Sequence, residues 1–419
     1  IKRNGTYKKQ KGYVALKKDL VRYNRQAATS ATSSWAGRTS PNDSNGWTSV
    51  CWSPELGLFC ASAQSGTSAR IATSPDGITW TGITSADAVG WRAVCWSPEL
   101  NLFCAVGGYD ATTNRVLTSP DGITWTRRTS AADTNTWISV CWSAELGIFC
   151  ACSYDGTSRI MTSPDGITWT ARTASVTAGW YEICWSPELG LFCVVASTGS
   201  VMTSPDGITW TTRTPSASNG WQGVCWSPEL GLFCAVAWNG TNKVMTSPDG
   251  ITWTGSASAG SDSAGWTGVR WIPELGIFCA VAAYGATATR VMTSPDGVTW
   301  TLRTSSDETS NWNNLCWSPE LGIICAVAYS GGGRIMTSTN TLLGTKSFAA
   351  DISVSGTING NINSRMNTLI QSIPTNPTTW EAGPAGSGSE SFQGGGVLLP
   401  NGKVFAIPAN YTGTNTTVS

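Results

Sequence analysis

The sequence contains no histidine among its 419 residues, and only 12% of those residues are charged. Without imidazole, a Ser-His-Asp triad, a Cys-His pair and a His-ligated zinc site are excluded. Lys and Arg number 26, as do Asp and Glu, so no basic field favours a nucleic acid partner. No apolar run reaches the roughly 18 residues of a membrane-spanning helix. We therefore expect no metal, no cofactor, no nucleic acid partner and no membrane insertion.

Two phrases recur along the chain. A phrase of the form TSPDGITWT occurs six times, beginning at Thr73, Thr118, Thr162, Thr203, Thr246 and Thr293. A phrase of the form CWSPELGLFCAVA occurs seven times, beginning at Cys51, Cys95, Cys141, Cys184, Cys225, Arg270 and Cys316. Its copies start 41 to 46 residues apart, which is the size of a four-stranded propeller blade. The repeat predicts an all-β fold, a seven-bladed β-propeller.

Each period reads as four short strands, here named a to d, with Trp in strand d. Six copies of the strand-d Trp follow the TSPDG phrase, but after Ser338 the chain reads TNTLLG where the seventh should stand. The missing Trp lies upstream, in Ser33–Ser40, which matches strand d of the other blades. The sequence thus predicts that an N-terminal strand completes the last blade and closes the ring, which removes exposed sheet edges.

Composition divides the chain into four segments. Residues 1–32 form a basic arm whose apolar residues have helical spacing, and residues 33–344 form the propeller. Residues 345–386 are rich in Ser, Asn, Thr and Gly and are typical of a connector. Residues 387–419 resemble the start of another propeller-type β module, so we expect the natural chain to continue. The arm and this module are candidate contacts with other structural proteins.

The phrase SPDGITW resembles the Asp-box, a Ser-x-Asp-x-Gly-x-Thr-Trp turn between the third and fourth strands of propeller blades. It departs from that pattern by one residue, because Asp and Gly are adjacent here. The resemblance implies a propeller of the kind found in sialidases and in secreted or viral surface proteins. We accordingly expect an extracellular or virion-surface location, such as a tail fibre.

The turn carboxylates are expected to be structural. Near-identical turns in six blades argue against catalysis at one centre, and short polar side chains stabilise turns of this kind. These carboxylates are Asp76, Asp121, Asp165, Asp206, Asp249 and Asp296.

Six cysteine pairs are each nine residues apart across the turn between strands a and b. Folding the hairpin places the members opposite each other, close enough for a disulfide; the alternative is a row of buried thiols acting as small apolar groups between blades. Arg270 replaces the first cysteine of the sixth blade and needs a partner if it is buried. The pairs are Cys51/Cys60, Cys95/Cys104, Cys141/Cys150, Cys184/Cys193, Cys225/Cys234 and Cys316/Cys325.

Loops on the rim opposite these turns vary between repeats, and variable loops on a rigid scaffold commonly carry function. Aromatic faces beside carboxylates suit sugar rings. The candidate ligand-binding residues are Tyr109, Tyr154, Trp238, Tyr284, Tyr329, Asp110 and Asp155. We expect a non-enzymatic module that binds a glycan or a cell-surface receptor. The alternatives are a sialidase-like glycosidase, which needs two converging carboxylates or a Tyr nucleophile, and an assembly scaffold without a ligand.

Overall fold

The computed structural model describes residues 34–338, apart from 67–68, 85–88, 109–113, 133, 260–263 and 286–288. It also describes two short strands near the C-terminus, at 396–398 and 404–406. The expected helical arm at 1–32 and the connector at 345–386 lie outside the described residues. The described part contains strands and turns but no helix, and none of it forms a helix long and apolar enough to cross a membrane.

Seven four-stranded antiparallel sheets form the blades, as the repeat predicted. In each sheet the strands lie side by side in the order a, b, c, d. The strands of blades 1 to 3 are β2(Gly46–Ser53), β3(Leu58–Ser65), β4(Ile71–Ser74), β5(Thr81–Ile83); β6(Trp91–Ser97), β7(Leu102–Gly107), β8(Val116–Ser119), β9(Thr126–Arg128); and β10(Trp137–Ser143), β11(Ile148–Ser153), β12(Ile160–Ser163), β13(Thr170–Arg172).

Blades 4 to 6 continue the same order without interruption. Their strands are β14(Trp180–Ser186), β15(Leu191–Ala196), β16(Val201–Ser204), β17(Thr211–Arg213); β18(Trp221–Ser227), β19(Leu232–Ala237), β20(Val244–Ser247), β21(Thr254–Ser256); and β22(Gly265–Ile272), β23(Ile277–Tyr284), β24(Val291–Ser294), β25(Thr301–Arg303).

Blade 7 is built from both ends of the propeller. Its strands a to c are β26(Trp312–Ser318), β27(Ile323–Ala328) and β28(Ile335–Ser338), and its strand d is the N-terminal β1(Trp35–Arg38). Strand β1 pairs antiparallel with β28, with Trp35 opposite Ser338 and Arg38 opposite Ile335. The predicted closure by an N-terminal strand is therefore confirmed, and it leaves no blade with an unpaired strand c.

The core lies between the blades, where each sheet face packs on its neighbour. The Trp that opens each strand a is fully buried, as is Phe59 with its counterparts in strand b of blades 2 to 6. Between blades 1 and 2, Cys60 packs with Trp91 and Phe103, and Cys51 borders the same cluster. Each blade therefore meets the aromatic face of the next blade with its cysteine-bearing face. Because the buried area is apolar, this packing is the main stabilising contribution to the ring.

The cysteine pairs are directly opposite in register, for example Cys51 with Cys60 and Cys225 with Cys234. All fourteen cysteines are nevertheless free thiols, so the bridged alternative is not what the structure contains. In the packing just described, the thiols fill the interface between blades as small apolar groups. Burial also raises the pKa of these thiols, and that of Cys279 reaches about 12. The reactive thiolate is consequently scarce.

A second unit, Lys346–Ser419, separates from the propeller unit Ile1–Thr345. Within this unit the described strands are β29(Gly396–Leu398) and β30(Val404–Ala406), which pair antiparallel.

Candidate functional site

The two rims of the ring differ in their degree of repetition. The uniform rim consists of the a–b turns and the c–d turns, and the variable rim consists of the b–c loops and the d–a loops. In the c–d turn of blade 1, Asp76 Oδ1 accepts hydrogen bonds from the backbone N–H of Ile78 and Thr79, both at 2.8 Å. Trp80 Nε1 then donates to the Gly77 carbonyl at 3.1 Å. All six copies repeat this network, so these carboxylates stabilise their own turns.

The turn glycine is required by both backbone and space. In blade 5, Gly250 has a φ of +71°, and a Cβ added there would lie 2.9 Å from Leu191 Cδ2. A left-handed φ and a close neighbour together favour glycine over other residues. The turn therefore also fits against the preceding blade, which explains why its sequence varies so little.

Glutamates of the a–b turns join neighbouring blades. Glu229 Oε2 accepts a hydrogen bond from Trp271 Nε1 of the next blade at 2.5 Å, and five other blade junctions repeat this bond. The junction from blade 6 to blade 7 differs, because Trp317 Nε1 is buried without a partner. There, Ile272 replaces the usual serine and Leu275 is buried. The sequence alone did not indicate this role, because the repeat shows that the glutamate recurs but not which residue of the next blade it meets.

On the variable rim, the aromatic residue that follows strand b is held by its backbone. Tyr154 N–H donates to the Thr136 carbonyl at 3.0 Å, and Trp238 N–H donates to the Gly220 carbonyl at 2.8 Å. The Tyr329 N–H makes the equivalent bond at 2.9 Å. These loops therefore present their aromatic side chains from fixed positions.

Tyr154 and Tyr329 are exposed by 45% and 40% respectively, yet each packs across a blade junction. The Tyr154 ring lies edge-on to Tyr181 of blade 4, with ring centroids 5.9 Å apart. The Tyr329 ring covers Gly46 of blade 1, where an added Cβ would lie 2.7 Å from the ring. Each ring thus keeps an exposed face while its other contacts fix its orientation.

Trp238 and Tyr284 form a second edge-on pair, with ring centroids 4.7 Å apart. The Tyr284 hydroxyl donates to the Trp238 carbonyl at 2.9 Å, and burial raises the pKa of that hydroxyl. The repeat pattern alone gives Trp238 no role in building the blades. The structure corrects this, because Trp238 is half-buried and helps to hold Tyr284.

Two described carboxylates of this rim, Asp155 and Asp307, accept hydrogen bonds from residues of the d–a loops. Asp155 accepts from the Thr136 N–H and hydroxyl at 2.5 and 2.8 Å. Asp307 Oδ1 accepts from the Thr309 N–H and hydroxyl, both at 2.7 Å. Asp155, a candidate ligand residue, therefore orders the loop that carries Tyr154. The candidates Tyr109 and Asp110 lie outside the described residues.

A cavity of about 630 Å³ occupies the central channel, lined by the strands a of the blades. Directly after its opening Trp, every strand a has an irregularity in register, as between Trp91 and Ala93. The residue at this bulge lines the channel near the variable rim, and its type varies widely between blades. We call these seven residues the bulge ring: Thr48, Arg92, Ile138, Tyr181, Gln222, Thr267 and Asn313.

One ion pair crosses the channel deeper along the same strands. Arg270 Nη2 of blade 6 lies 2.6 Å from Glu182 Oε1 of blade 4, with the two side chains 29% and 7% exposed. Glu182 Oε2 also accepts from the Val224 N–H of blade 5 at 3.0 Å, and Gly223 beside it has no side chain. This pair supplies the partner that Arg270 was expected to need. Among the described residues, no three His, Cys, Asp or Glu side chains gather to hold a metal ion.

No family model matches the chain, and no curated protein matches it. Solved structures are similar in fold. A catalytically inactive virginiamycin B lyase from Staphylococcus aureus with quinupristin is 10% identical, with a TM-score of 0.61 over 73% of this chain and 98% of that chain. YCF48 from Cyanidioschyzon merolae is 15% identical, with a TM-score of 0.54 over 73% and 98%. YCF48 bound to D1 peptide is also 15% identical, with a TM-score of 0.54 over 73% and 94%. At such identities the similarity shows a shared propeller fold and nothing finer.

Proposed function

We propose that this protein is a non-enzymatic binding propeller that recognises a glycan through its variable rim, displayed on a virion or a secreted particle. The observation that carries the proposal is the set of fixed aromatic side chains on that rim. Tyr154, Tyr284 and Tyr329 are exposed there, and each is held by contacts within the scaffold. Fixed aromatic faces bind sugar rings at little cost in side-chain entropy.

The path of the chain supports this choice of rim. Strand c of blade 7 ends at Ser338 and strand d begins at Trp35, and these residues are opposite each other. Strand c ends on the uniform rim in every blade, so the chain enters and leaves the propeller on that rim. The two ends of the described propeller therefore lie on the uniform rim. This arrangement suits a module that is attached on one side and binds on the other.

The Asp-box resemblance also supports display on a particle surface, since such turns occur in secreted and viral surface propellers. Two proteins of similar fold have a bound partner in their structures, quinupristin in one and D1 peptide in the other. A propeller of this size therefore offers room for either a small molecule or a chain. The proposal of a glycan rests on the aromatic rim, not on these neighbours.

The glycosidase alternative has weaker support. It needs two carboxylates roughly 5–10 Å apart that flank one bond. In the described rim, Asp155 and Asp307 accept hydrogen bonds from Thr136 and Thr309 of the d–a loops, and Glu182 is paired with Arg270. Carboxylates that accept these hydrogen bonds or form this ion pair stabilise loops and strands. We therefore favour binding without hydrolysis.

A glycan array with the intact protein tests the proposal, using Tyr329→Ala, Tyr154→Ala and Ile123→Ala. Ile123 is 64% exposed on the uniform rim and is the matched control. We expect each Tyr variant to weaken binding of the best glycan by on the order of 1 kcal/mol or more, and the control to bind normally. Binding that only Ile123→Ala weakens would contradict the proposal, as would cleavage of the bound glycan seen by mass spectrometry.

A further inference from the structure

The uniform rim exposes aliphatic side chains. Of the fifteen large hydrophobic residues that are exposed in the described part of the chain, eleven lie in its turns. They are the leucine after the turn glutamate in blades 1 to 5, 37% to 41% exposed, and the Ile or Val after the turn glycine in blades 1 to 6, 49% to 64% exposed. We call these eleven residues the aliphatic ring. Exposed apolar side chains that gather on one surface indicate an interaction site, whereas scattered ones do not.

The turns do not require aliphatic side chains at these positions. Leu56 donates its backbone N–H to Ser53 Oγ at 3.2 Å, and Ile78 donates its backbone N–H to Asp76 Oδ1 at 2.8 Å. A polar residue would donate the same backbone hydrogen bonds, and polar residues are usual in exposed turns. Stability of the turn therefore does not explain why the outward side chain is aliphatic in so many blades, and cover by another segment does.

The same turns carry acidic side chains. Each a–b turn has an exposed glutamate and each of the six c–d turns has an aspartate, while none of these turns contains Lys or Arg. The donors to these carboxylates are neutral indole and backbone N–H groups, which leave the negative charge in place. For Asp76, desolvation opposes ionisation, but the backbone hydrogen bonds from Thr79 and Ile78 lower its pKa overall. A segment that covers this rim should therefore be both basic and apolar.

The N-terminal arm of the chain has this composition. Residues 1–32 contain nine Lys and Arg residues and one acidic residue, Asp19, so the arm holds nine of the 26 basic residues of the chain. Within it, Tyr13, Leu16, Leu20 and Tyr23 recur at helical spacing. The arm thus combines the charge that complements the turn carboxylates with apolar side chains that suit the aliphatic ring.

The arm also joins the propeller at this rim. Strand β1 begins at Trp35, opposite Ser338 at the end of strand c of blade 7. At the same junction, Glu320 of blade 7 accepts a hydrogen bond from Trp52 Nε1 of blade 1 at 2.6 Å. From Arg25, the last basic residue of the arm, the chain to β1 can span at most about 30 Å. The basic segment is therefore tethered near the turns of blades 7 and 1, which gives it a high effective concentration there.

We propose that the uniform rim is the docking surface of the chain's own N-terminal arm, at the turns of blades 7 and 1. The Lys and Arg side chains of the arm pair with the turn glutamates, and its apolar side chains cover the aliphatic ring. Exposed ion pairs contribute little stability, so covering the aliphatic side chains provides most of the affinity, and charge selects the surface. This inference does not depend on glycan recognition, because it concerns the opposite rim.

Carbodiimide cross-linking of the intact protein, read by mass spectrometry, tests the docking, because this reagent joins a lysine directly to a carboxylate without a spacer. Six of the nine lysines of the chain lie in the arm. We expect the arm lysines to link to Glu320 and Glu55 of the uniform rim. Glu308 is an exposed glutamate of the variable rim and is the matched control, which should remain unlinked.

Variants of the arm separate docking from attraction by charge alone. The double substitution Leu16→Ser and Leu20→Ser removes apolar side chains and keeps every lysine, so we expect it to lose most of the links to the uniform rim. Val14→Ser lies outside the spaced set and should keep these links. Rim links that persist unchanged in the double variant would overturn the role of the aliphatic ring.

Variants of the rim locate the docked segment. Ile78 in blade 1 and Ile208 in blade 4 occupy the same turn position and are 52% and 51% exposed. Ile78→Ser should lose most of the arm links, and Ile208→Ser should retain them, because blade 4 is remote from the point where the arm joins. Equal effects at the two positions would overturn docking at blades 7 and 1. Melting temperatures within a few degrees of the parent show that the variants are folded.

A mixture of ¹⁵N-labelled and unlabelled protein identifies the chain that supplies the arm. We expect links only within a labelled or within an unlabelled chain. Links that join a labelled chain to an unlabelled one would assign the arm to a second copy and overturn docking on the same chain. Arm links that fall equally on Glu308 and Glu320, or an arm that forms no link to the propeller, would overturn the docking surface itself.

Discussion

Glu182 and Arg270 face each other across the central channel from blades 4 and 6, with Oε1 and Nη2 2.6 Å apart. Both residues depart from the repeat, because the other blades have Ser, Ala, Gly or Asn where Glu182 stands and cysteine where Arg270 stands. The opposite charges of the two residues can pair because the ring brings blades 4 and 6, which are not adjacent, close together at the channel. A charged residue buried alone is costly, and the pair removes that cost.

We predict that Arg270→Cys lowers the free energy of unfolding by about 3 kcal/mol, because it leaves the Glu182 carboxylate buried without its partner. Glu182→Ser in the same chain should recover most of that loss, since it restores the residue of blades 1 and 3. A double-mutant cycle by urea denaturation measures the coupling. Additive effects of the two substitutions would show that the pair contributes nothing to stability.

Hydrogen bonds between blades give a matched pair of variants. Glu229→Ala removes the acceptor of the Trp271 N–H, and we expect a loss of about 1.5 kcal/mol. Glu274→Ala should change stability by less than about 0.5 kcal/mol, because its counterpart Trp317 Nε1 has no partner among the described residues. The measurement is the unfolding free energy of each variant. Equal losses at the two positions would show that the turn itself, and not the bond between blades, accounts for the effect.

Acid should destabilise the propeller through its c–d turns. The backbone hydrogen bond from Thr252 lowers the pKa of Asp249 below its usual value and outweighs desolvation, and the pKa of the other five turn carboxylates is lowered as well. A lowered folded-state pKa gives stability that is present above the unfolded value of about 3.9 and is lost as pH falls through the folded value.

Asp249→Asn keeps the acceptor oxygen and removes the titration. We expect the unfolding free energy of this variant to fall less steeply than that of the parent as pH falls below about 4. Urea denaturation at a series of pH values provides the comparison. Superimposable profiles would mean that the pKa of Asp249 is the same in the folded and unfolded states.

The thiols should be free but unreactive. We predict slow alkylation of the native protein by iodoacetamide, because burial raises the pKa of the thiols and keeps them from the reagent. After denaturation without a reductant, all fourteen cysteines should be alkylated. If only Cys152 and Cys279 react, the six cross-strand pairs are bridged in the natural protein. Mass spectrometry distinguishes these results directly.

The repetitive features were predictable from sequence, and the asymmetric ones were not. Blade number and closure by Trp35 followed from counting repeats. The pairing of Glu182 with Arg270 did not, because no spacing rule relates residues in blades that meet only across a closed ring. The bulge ring is visible in the sequence as one position of strand a that varies between blades, although the residues on both sides of it repeat. This variation can be interpreted only with the pairing register of strands a and b, which shows that the residue lies at a bulge, outside the regular alternation of the strand.

Recognition through the variable rim is tested most directly by hydrogen–deuterium exchange of the intact protein with and without its best array glycan. We predict slower exchange on binding in the b–c loops at 154–159, 238–243 and 329–334. Exchange in the a–b turns at 98–101 and the c–d turns at 120–124 should not change. Protection confined to the turns of the uniform rim, with the three b–c loops unaffected, would contradict the account.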